Sequence, residues 1–502
     1  MDAKIAQPQD WHKKTATIKF PSELFINGRF VKAQSGKLFP TINPATGQIL
    51  AEIAEGDRYD IDLAVKAARQ SFDKGVWVRM SISDRKKIML RWLELMEKNF
   101  NDLALLETLD VGKPIRDSLT VDIPLSINCI RWYAETMDKI CDEIAPTGHD
   151  SVVMVRREPL GVIGAVLPWN FPLLMAAWKI GPILAAGNSL VIKPAEQSPL
   201  TTLKIAELAA EAGLPEGVLN VVPGFGETAG QALGKHMDVD CLAFTGSTEV
   251  GKYFLRYAGD SNMKRVSLEC GGKSPNIVMA DAPNLDIAAT AAAWGIFYNQ
   301  GEACSAGSRL LVEEKIKDRF LEKVIAVTKK IKLGDPLDPN TGIGAIIDQK
   351  QMQRVLGYID IGQKEGAKLL CGGKRAIEAS GGYFVEPTVF DRVQPNMKIA
   401  QEEIFGPVLS VITFKDAEEA VRIANNTIYG LAAAVWTSDI TKAFRTTQAL
   451  RAGTIWVNSY DDGHMAMPFG GFKQSGFGRD KSLHALDKYT DWKSVWVNLK
   501  TS

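Results

Sequence analysis

The chain has 502 residues, 46% of them hydrophobic and 24% charged, which is globular composition and argues against disorder, collagen or coiled coil. Lysine plus arginine (59) equals aspartate plus glutamate (59), so no net field points to nucleic acid or an anionic membrane as a partner. Six cysteines, none in a CxxC pair, and five scattered histidines argue against a disulfide scaffold or zinc ribbon and suit a reducing cytoplasm. At roughly 150 residues per domain, two or three packed units are expected. The N-terminal MDAKIAQPQDWHKK carries lysines but no apolar run, so no secretory signal is expected.

The first element is a short extended segment, ELFINGRFV. Helical periodicity appears next at 60–73, 84–99 and 114–140, where Pro114 suits a first turn and Pro124 should end or kink the helix around it. Residues 151–168 hold two β-rich runs. Between Gly161 and Ile192 the only charge is Lys179, which on apolarity alone is long enough for a membrane span. Pro168, Pro172, Pro182, Asn170 and Asn188 favour instead a buried strand, turn, helix and strand. Up to about residue 258, strands (161–167, 189–193, 218–222, 241–244) alternate with helices (173–186, 200–212, 227–235, 248–258). That alternation predicts βαβ units and a parallel sheet. A second series runs from Val266 to Asn458 through NIVMA, SRLLVEE, VLSVITF, LAAAVWT and GTIWVN, with helices such as 315–331 and 439–450. The tail DWKSVWVNLK is one more strand without a local partner. The expectation is two α/β domains meeting near residue 270, plus β segments belonging to neither.

Ligands of open α/β sheets sit beyond the carboxyl ends of strands, so the turns there are the candidate sites. VLNVV leads into Gly224-Phe225-Gly226-Glu227-Thr228-Ala229-Gly230, a G-x-G-x-x-[GA] turn able to approach a pyrophosphate. CLAF leads into Thr245-Gly246-Ser247-Thr248 and a helix, either an anion site or a plain N-cap. Lys193 and Glu196 come after a third strand; they suit phosphate and ribose contacts, and a solvated surface pair fits the same pattern. A carboxylate at Glu196 would repel a 2′-phosphate and favour NAD over NADP. Cys304 lies among small residues after an apolar helix, which would leave its thiol accessible; a small buried hydrophobe fits the same setting. Glu269 ends the strand RVSL among glycines, where partial desolvation would raise its pKa toward that of a general base. No HExxH or other metal constellation is present, so no metal is expected.

Eight segments in order, PWNFPL, KPAEQSP, GFGETAG, FTGSTEVG, LECGGKSPNIV, FYNQGEACSAGSR, EEIFGPV and PFGGFKQSG, resemble the NAD(P)-dependent aldehyde dehydrogenase superfamily over essentially the whole chain. LETLDVGKPIRDS, AGDSNMKRV and GRDKSLHALDK resemble the γ-glutamyl-γ-aminobutyraldehyde (aminoaldehyde) dehydrogenases of putrescine breakdown. The resemblance implies that fold: a Rossmann-like NAD-binding domain (1–140 and 160–269), an α/β catalytic domain (270–485), and a β arm (141–159 and 486–502) joining a homotetramer, a dimer of dimers. It implies Cys304 as nucleophile, Asn170 with the Cys304 N–H as oxyanion donors, and Glu269 as the base for thioester hydrolysis. Cofactor contacts carried over are Leu167, Trp169, Lys193, Glu196, Gly226, Gly246, Ser247, Glu403 and Phe405, for NAD with NADP possible. A binding or structural protein of the same fold, a betaine-type or broad-specificity oxidiser and a coenzyme-A-acylating relative remain alternatives. Retention of Cys304, Glu269 and Asn170 together favours the enzyme.

Two expectations concern the substrate, a small-molecule aldehyde. By resemblance the tunnel draws Asp122 from the 114–130 helix, Phe171, Met175 and Trp178 from the next segment, and Tyr460, Asp461, Asp462, Gly463 and His464 from a loop. Paired aspartates near an aromatic suit an amino or guanidino group; for one of Asp461 and Asp462 an Asx-type hydrogen bond that shapes the loop is expected instead. Glu302 stands where the family more often has glutamine; an anion there would raise the thiol pKa unless it points away, and an outward-facing side chain is expected.

Overall fold

Strands that are apolar along their whole length need cover on both faces, and Val162–Val166, Ser189–Lys193, Leu219–Val221 and Cys241–Thr245 are buried at every position. In the computed structural model, which describes residues 10–500, they form the centre of an eight-stranded sheet. The first nine residues of MDAKIAQPQDWHKK lie outside the described residues. From one edge the sheet runs Arg29–Val31, Leu24–Ile26, Leu219–Val221, Ser189–Lys193, Val162–Val166, Cys241–Thr245, Arg265–Glu269 and Gly476–Phe477. The five strands from Leu219–Val221 to Arg265–Glu269 are parallel. Successive strands leave Val162–Val166 first to one side and then, with Cys241–Thr245, to the other. That reversal opens a crevice at the carboxyl ends of these two strands, beside Trp169-Asn170 and Gly246-Ser247.

The second sheet has seven strands, in the order Lys368–Cys371, Thr388–Asp391, Val408–Phe414, Arg309–Glu313, Pro275–Val278, Ala432–Trp436 and Thr454–Val457. The orphan tail finds its partner at long range: Thr490–Asn498 pairs antiparallel with Ser151–Pro159, which also pairs with Glu143–Ala145. This three-stranded arm belongs to neither main sheet.

The apolar stretch from Gly161 to Ile192 is the expected strand, helix (Pro172–Ala186) and strand, and among the described residues no helix is long and apolar enough to cross a membrane. The 114–140 region is helical with a break: Ile115–Asp117, a wide π turn at Ser118–Asp122, then Ile123–Thr136 with Pro124 in its first turn. Two elements had no sequence signal. Phe100–Val111 is buried at every position from Leu103 to Val111, so it shows no amphipathic period. The hairpin Leu38–Asn43 with Gln48–Ala54 carries a register shift near Thr41 that breaks its alternation.

Candidate active site

The loop that carries Cys304 is shaped by backbone. After the helix Leu285–Phe297, Asn299, Gln300 and Gly301 all take positive φ (47°, 59° and 74°). Such conformations persist only where surrounding structure over-determines them, and here a Cβ on Gly301 would lie 2.3 Å from the Gly406 carbonyl oxygen. The turn delivers Cys304 to a cavity of about 740 Å³ that also receives Asn170 and Glu269. On its far side a Cβ at Gly272 would fall 2.5 Å from the Cys304 carbonyl oxygen, so close approach demands glycine there. Burial foremost, then the carboxyls of Glu403, Glu269 and Asp461, push the Cys304 thiol well above its usual range.

Asn170 is buried, and its Nδ2 donates to the Glu302 carbonyl at 2.7 Å. Asn299 Nδ2 donates to the Asn170 carbonyl at 3.2 Å and to the Glu302 carbonyl at 3.1 Å. The Asn170 amide is thus oriented by the Cys304 loop itself, with its second N–H left for a ligand. The Glu302 side chain corrects the outward-facing expectation. It is fully buried, accepting at Oε1 from the Ile347 N–H at 3.1 Å, and burial holds its carboxyl well above the usual carboxylate range. It turns inward and away from the thiol because the left-handed run reverses the chain just before it.

Glu269 ends its strand at the cavity with both carboxyl oxygens buried and without a hydrogen-bond partner. Burial, and secondarily the Asp480 carboxylate, raise it to about 8 against the pull of Lys179, Lys488 and Arg479. Asp480 is itself fully buried, and Lys179 and Lys488 each donate to one of its oxygens. Burial alone would push Asp480 up, but the two ammonium groups outweigh it and hold it anionic. A Cβ on Gly470 would lie 2.8 Å from Glu269 Oε1, so glycine there keeps the carboxyl's position open.

At the cavity's other end Trp169 meets Phe405 edge to face at 5.2 Å between centroids. Glu403 Oε1 accepts from the Gly272 N–H at 2.9 Å, and burial lifts it to about 7. A Cβ at Gly271 would fall 2.0 Å from its other oxygen. Gly246 and Ser247 line the cavity at the start of the helix Thr248–Gly259, where the Ser247 side chain accepts from the Val250 N–H. Outside this cavity, Lys193 Nζ donates to the Pro194 and Gly224 carbonyls and to Glu196 Oε2 at 3.2 Å. Glu196 stays half-exposed, and Gly226 begins a π turn with open space where a side chain would stand. Leu167 does not line the cavity; its side chain packs in the core, and its N–H bonds the Lys193 carbonyl. The crevice at the sheet's reversal, the helix N-terminus and the open cradle at Gly226 fit a dinucleotide.

Toward the mouth the cavity is walled by Phe171, Met175 and Trp178, with Tyr298 stacked on Phe171 at 6.2 Å. Tyr460, Asp461, Asp462, Gly463 and His464 come from the loop as expected. Asp461 accepts from Ser305 Oγ at 3.1 Å, and crowding by protein raises it to about 6 although its surface opens on the tunnel. Asp122 is the exception. It is fully buried, paired at 2.7 Å with Lys113 Nζ, and does not reach the cavity. On this helix Val121, Leu125 and Asn128 line the tunnel; at i, i+4 and i+7 they share one face, and Asp122 is one residue, about 100° of turn, off it. Sequence reasoning also missed Lys179, Asp480, Lys481 and Lys488. The last three lie in GRDKSLHALDK, but no local pattern places them beside Glu269 or the tunnel.

Residues 30–495 match the model of the aldehyde dehydrogenase family. The chain is 51% identical over 490 residues to the NADP/NAD-dependent aldehyde dehydrogenase PuuC of Escherichia coli (strain K12), covering 98% of each chain. Its fold superposes on the γ-glutamyl-γ-aminobutyraldehyde dehydrogenase of Burkholderia cenocepacia J2315 with a TM-score of 0.96, at 55% identity over 98% of this chain and 99% of that one. It likewise matches a variant of the P. syringae indole-3-acetaldehyde dehydrogenase AldA in complex with NAD+ and IAA, with a TM-score of 0.97, 57% identity and the same coverage. With the family model spanning nearly its whole length, the chain belongs to the aldehyde dehydrogenase family.

Proposed function

We propose that the chain oxidises an aldehyde to its carboxylic acid through a covalent thioester on Cys304. The observation that carries this is the meeting, in one cavity, of an accessible cysteine, an oriented amide at Asn170 and an unpartnered buried carboxyl at Glu269. The Cys304 thiol gives up its proton to solvent in the cavity as its sulfur bonds to the aldehyde carbon, and the Asn170 amide with the Cys304 N–H holds the oxygen that becomes negative. A nicotinamide dinucleotide bound along Trp169, Gly246, Ser247, Glu403 and Phe405 supplies the acceptor for the hydride that leaves that carbon. Glu269 then takes a proton from water, the hydroxide adds to the thioester carbonyl, and the C–S bond breaks to release the acid and the thiolate. A group held up to about 8 by burial has the basicity this step needs near neutral pH.

Lys193 and Glu196 hold the adenosine ribose in this reading, and the half-exposed carboxylate of Glu196 makes NAD the preferred cofactor over NADP. The substrate class is an ω-amino, ω-guanidino or γ-glutamylamino aldehyde of about four carbons, because the mouth carries Asp461 and Asp462 beside Trp178 and Trp456. The relative named for γ-glutamyl-γ-aminobutyraldehyde supports that class. The aromatic wall and the indole-3-acetaldehyde relative favour a second reading, a preference for aromatic aldehydes. A homotetramer is inferred from the arm, whose Ile144, Trp492 and Trp496 are exposed and call for a partner subunit.

The test is NADH absorbance over a panel of 4-aminobutyraldehyde, γ-glutamyl-γ-aminobutyraldehyde, hexanal and indole-3-acetaldehyde. The nitrogenous aldehydes should lead in kcat/KM. Cys304→Ala should abolish turnover while retaining NAD binding, and turnover in that variant would end the covalent mechanism.

A further inference from the structure

The expectation of a cation-binding mouth counted only its acids. Lys481 stands in the same wall, next in sequence to Asp480, which also lines the cavity. Its side chain is about nine-tenths buried, at 9% exposure, and lines the cavity. Among the described residues its ammonium has no hydrogen bond or ion pair; its neighbour is the Trp178 ring, 5.7 Å from Nζ to centroid. The other two lysines near Glu269 are both committed to Asp480. A Cβ placed on Gly463 would lie 3.4 Å from Lys481 Nζ, so the ammonium sits against the loop that carries Asp461 and Asp462.

Those two acids are not equivalent. Asp461 is engaged by the Ser305 hydroxyl at 3.1 Å. Asp462 is exposed on the tunnel, and only its backbone carbonyl is used, by Trp456 Nε1 at 2.8 Å. The mouth therefore presents one uncommitted cation and one uncommitted anion. Asp461 attracts the Lys481 ammonium only through space, without a direct ion pair, so a ligand anion would complete a desolvated cation. A free ω-ammonium aldehyde would satisfy Asp462 and be repelled by Lys481, whereas a head bearing both charges answers both.

We propose that Lys481 and Asp462 form a subsite for a zwitterionic α-amino acid head, Lys481 taking its carboxylate and Asp462 its ammonium. The aldehyde that fits is then one carried on a γ-glutamylamide rather than on a free amine. This rests on the reading of the chain as an oxidiser of nitrogenous aldehydes and narrows it.

The experiment compares γ-glutamyl-γ-aminobutyraldehyde, 4-aminobutyraldehyde and butanal in the unaltered enzyme, Lys481→Met and Lys481→Arg. In Lys481→Met, kcat/KM for the γ-glutamyl substrate relative to butanal should fall about tenfold or more, mainly through KM, with the 4-aminobutyraldehyde ratio equal or higher. Lys481→Arg should keep most of the preference, since it keeps the charge. A melting curve and an NAD titration check that each variant is folded. A second measurement needs no variant: γ-glutamylpropylamide, which carries the head but no aldehyde, should compete with butanal, and propylamine should not. Equal loss for all three substrates in Lys481→Met, or no competition by the amide, overturns the subsite. If the unaltered enzyme prefers 4-aminobutyraldehyde, the subsite fails and the broader reading stands. If butanal leads both, the broader reading fails as well.

Discussion

Two buried charged clusters flank the tunnel, and they share nearly every property except direction. On one side Glu269 sits over Asp480, Lys179 and Lys488; on the other, Asp122 and Glu107 surround Lys113 behind Phe171. Both clusters contain acids lifted by burial, Glu269 and Glu107 each to about 8. Both contain carboxyl oxygens without a hydrogen-bond partner. Glu269 opens on the cavity that holds Cys304, whereas Glu107 and Asp122 are sealed by Phe171, whose ring lies 4.1 Å from Lys113 Nζ. A perturbed acid is therefore a candidate for function where its residue lines a cavity a substrate could enter; the same perturbation sealed away from it fits a structural role.

The largest effect that separates the clusters is on turnover. Glu269→Gln should lower steady-state oxidation by about 100-fold or more, and a stopped-flow trace should show a burst of NADH and then a stall. A uniformly slow trace without a burst would place Glu269 in activation of the thiol and dissolve the division of labour. In the sealed cluster the loss should be stability instead. Lys113→Met leaves two buried acids without their cation, and breaking a buried pair costs about 3–5 kcal/mol. Denaturant unfolding measures it, and kcat of the folded fraction should change little. Asp122→Asn should behave alike, with no discrimination between charged and neutral aldehydes, because that side chain does not reach the tunnel.

The pH dependence of stability sharpens the contrast. Glu269, ordinarily near 4.5, is held to about 8 in the folded chain, so the folded state keeps a proton that the unfolded state gives up. Its presence therefore destabilises progressively as pH rises from about 4.5 to about 8, and fully above that. Glu269→Gln removes this loss, so the variant should melt higher than the unaltered protein, by more at pH 9 than at pH 6. An equal difference at both pH values would mean that Glu269 is already ionised when folded.

The same contrast explains which features were legible in the sequence. The parallel sheet was legible because its strands are apolar throughout, and the turn glycines because each allows a contact a Cβ would block, as at Gly271 and Gly272. Cys304, Asn170 and Glu269 could be singled out because local motifs carry them, and the three line one cavity. Asp122 was misplaced because a face cannot be assigned across a π turn whose extra residue rotates the helix. Lys179, Lys488 and Asp480 were missed because Lys179 lies 301 residues from Asp480 in sequence, and the three meet only when the C-terminal segment folds over the first sheet. Lys481 was hidden for the same reason, since a lysine among polar neighbours looks like any solvated one.

Glu302 provides the smallest and most discriminating test, because it is two residues from Cys304 yet belongs with the inward-facing acids. Its Oε1 accepts the Ile347 N–H, its Oε2 has no partner, and burial keeps the carboxyl protonated well above its ordinary range. A neutral acid there differs from an amide only at one terminal atom. Glu302→Gln should therefore change unfolding stability by about 1 kcal/mol or less and leave the pH profile of the NADH burst where it was. Glu302→Ala strands the Ile347 N–H and should cost about 1–3 kcal/mol, with looser positioning of the carbonyl that orients Asn170. If Glu302 instead carried a charge felt by Cys304, the glutamine variant would lower the thiol's apparent pKa and move the acidic limb of the burst profile to lower pH. That shift would put Glu302 among the groups that face the cavity and break the rule that direction, rather than burial, divides the two clusters.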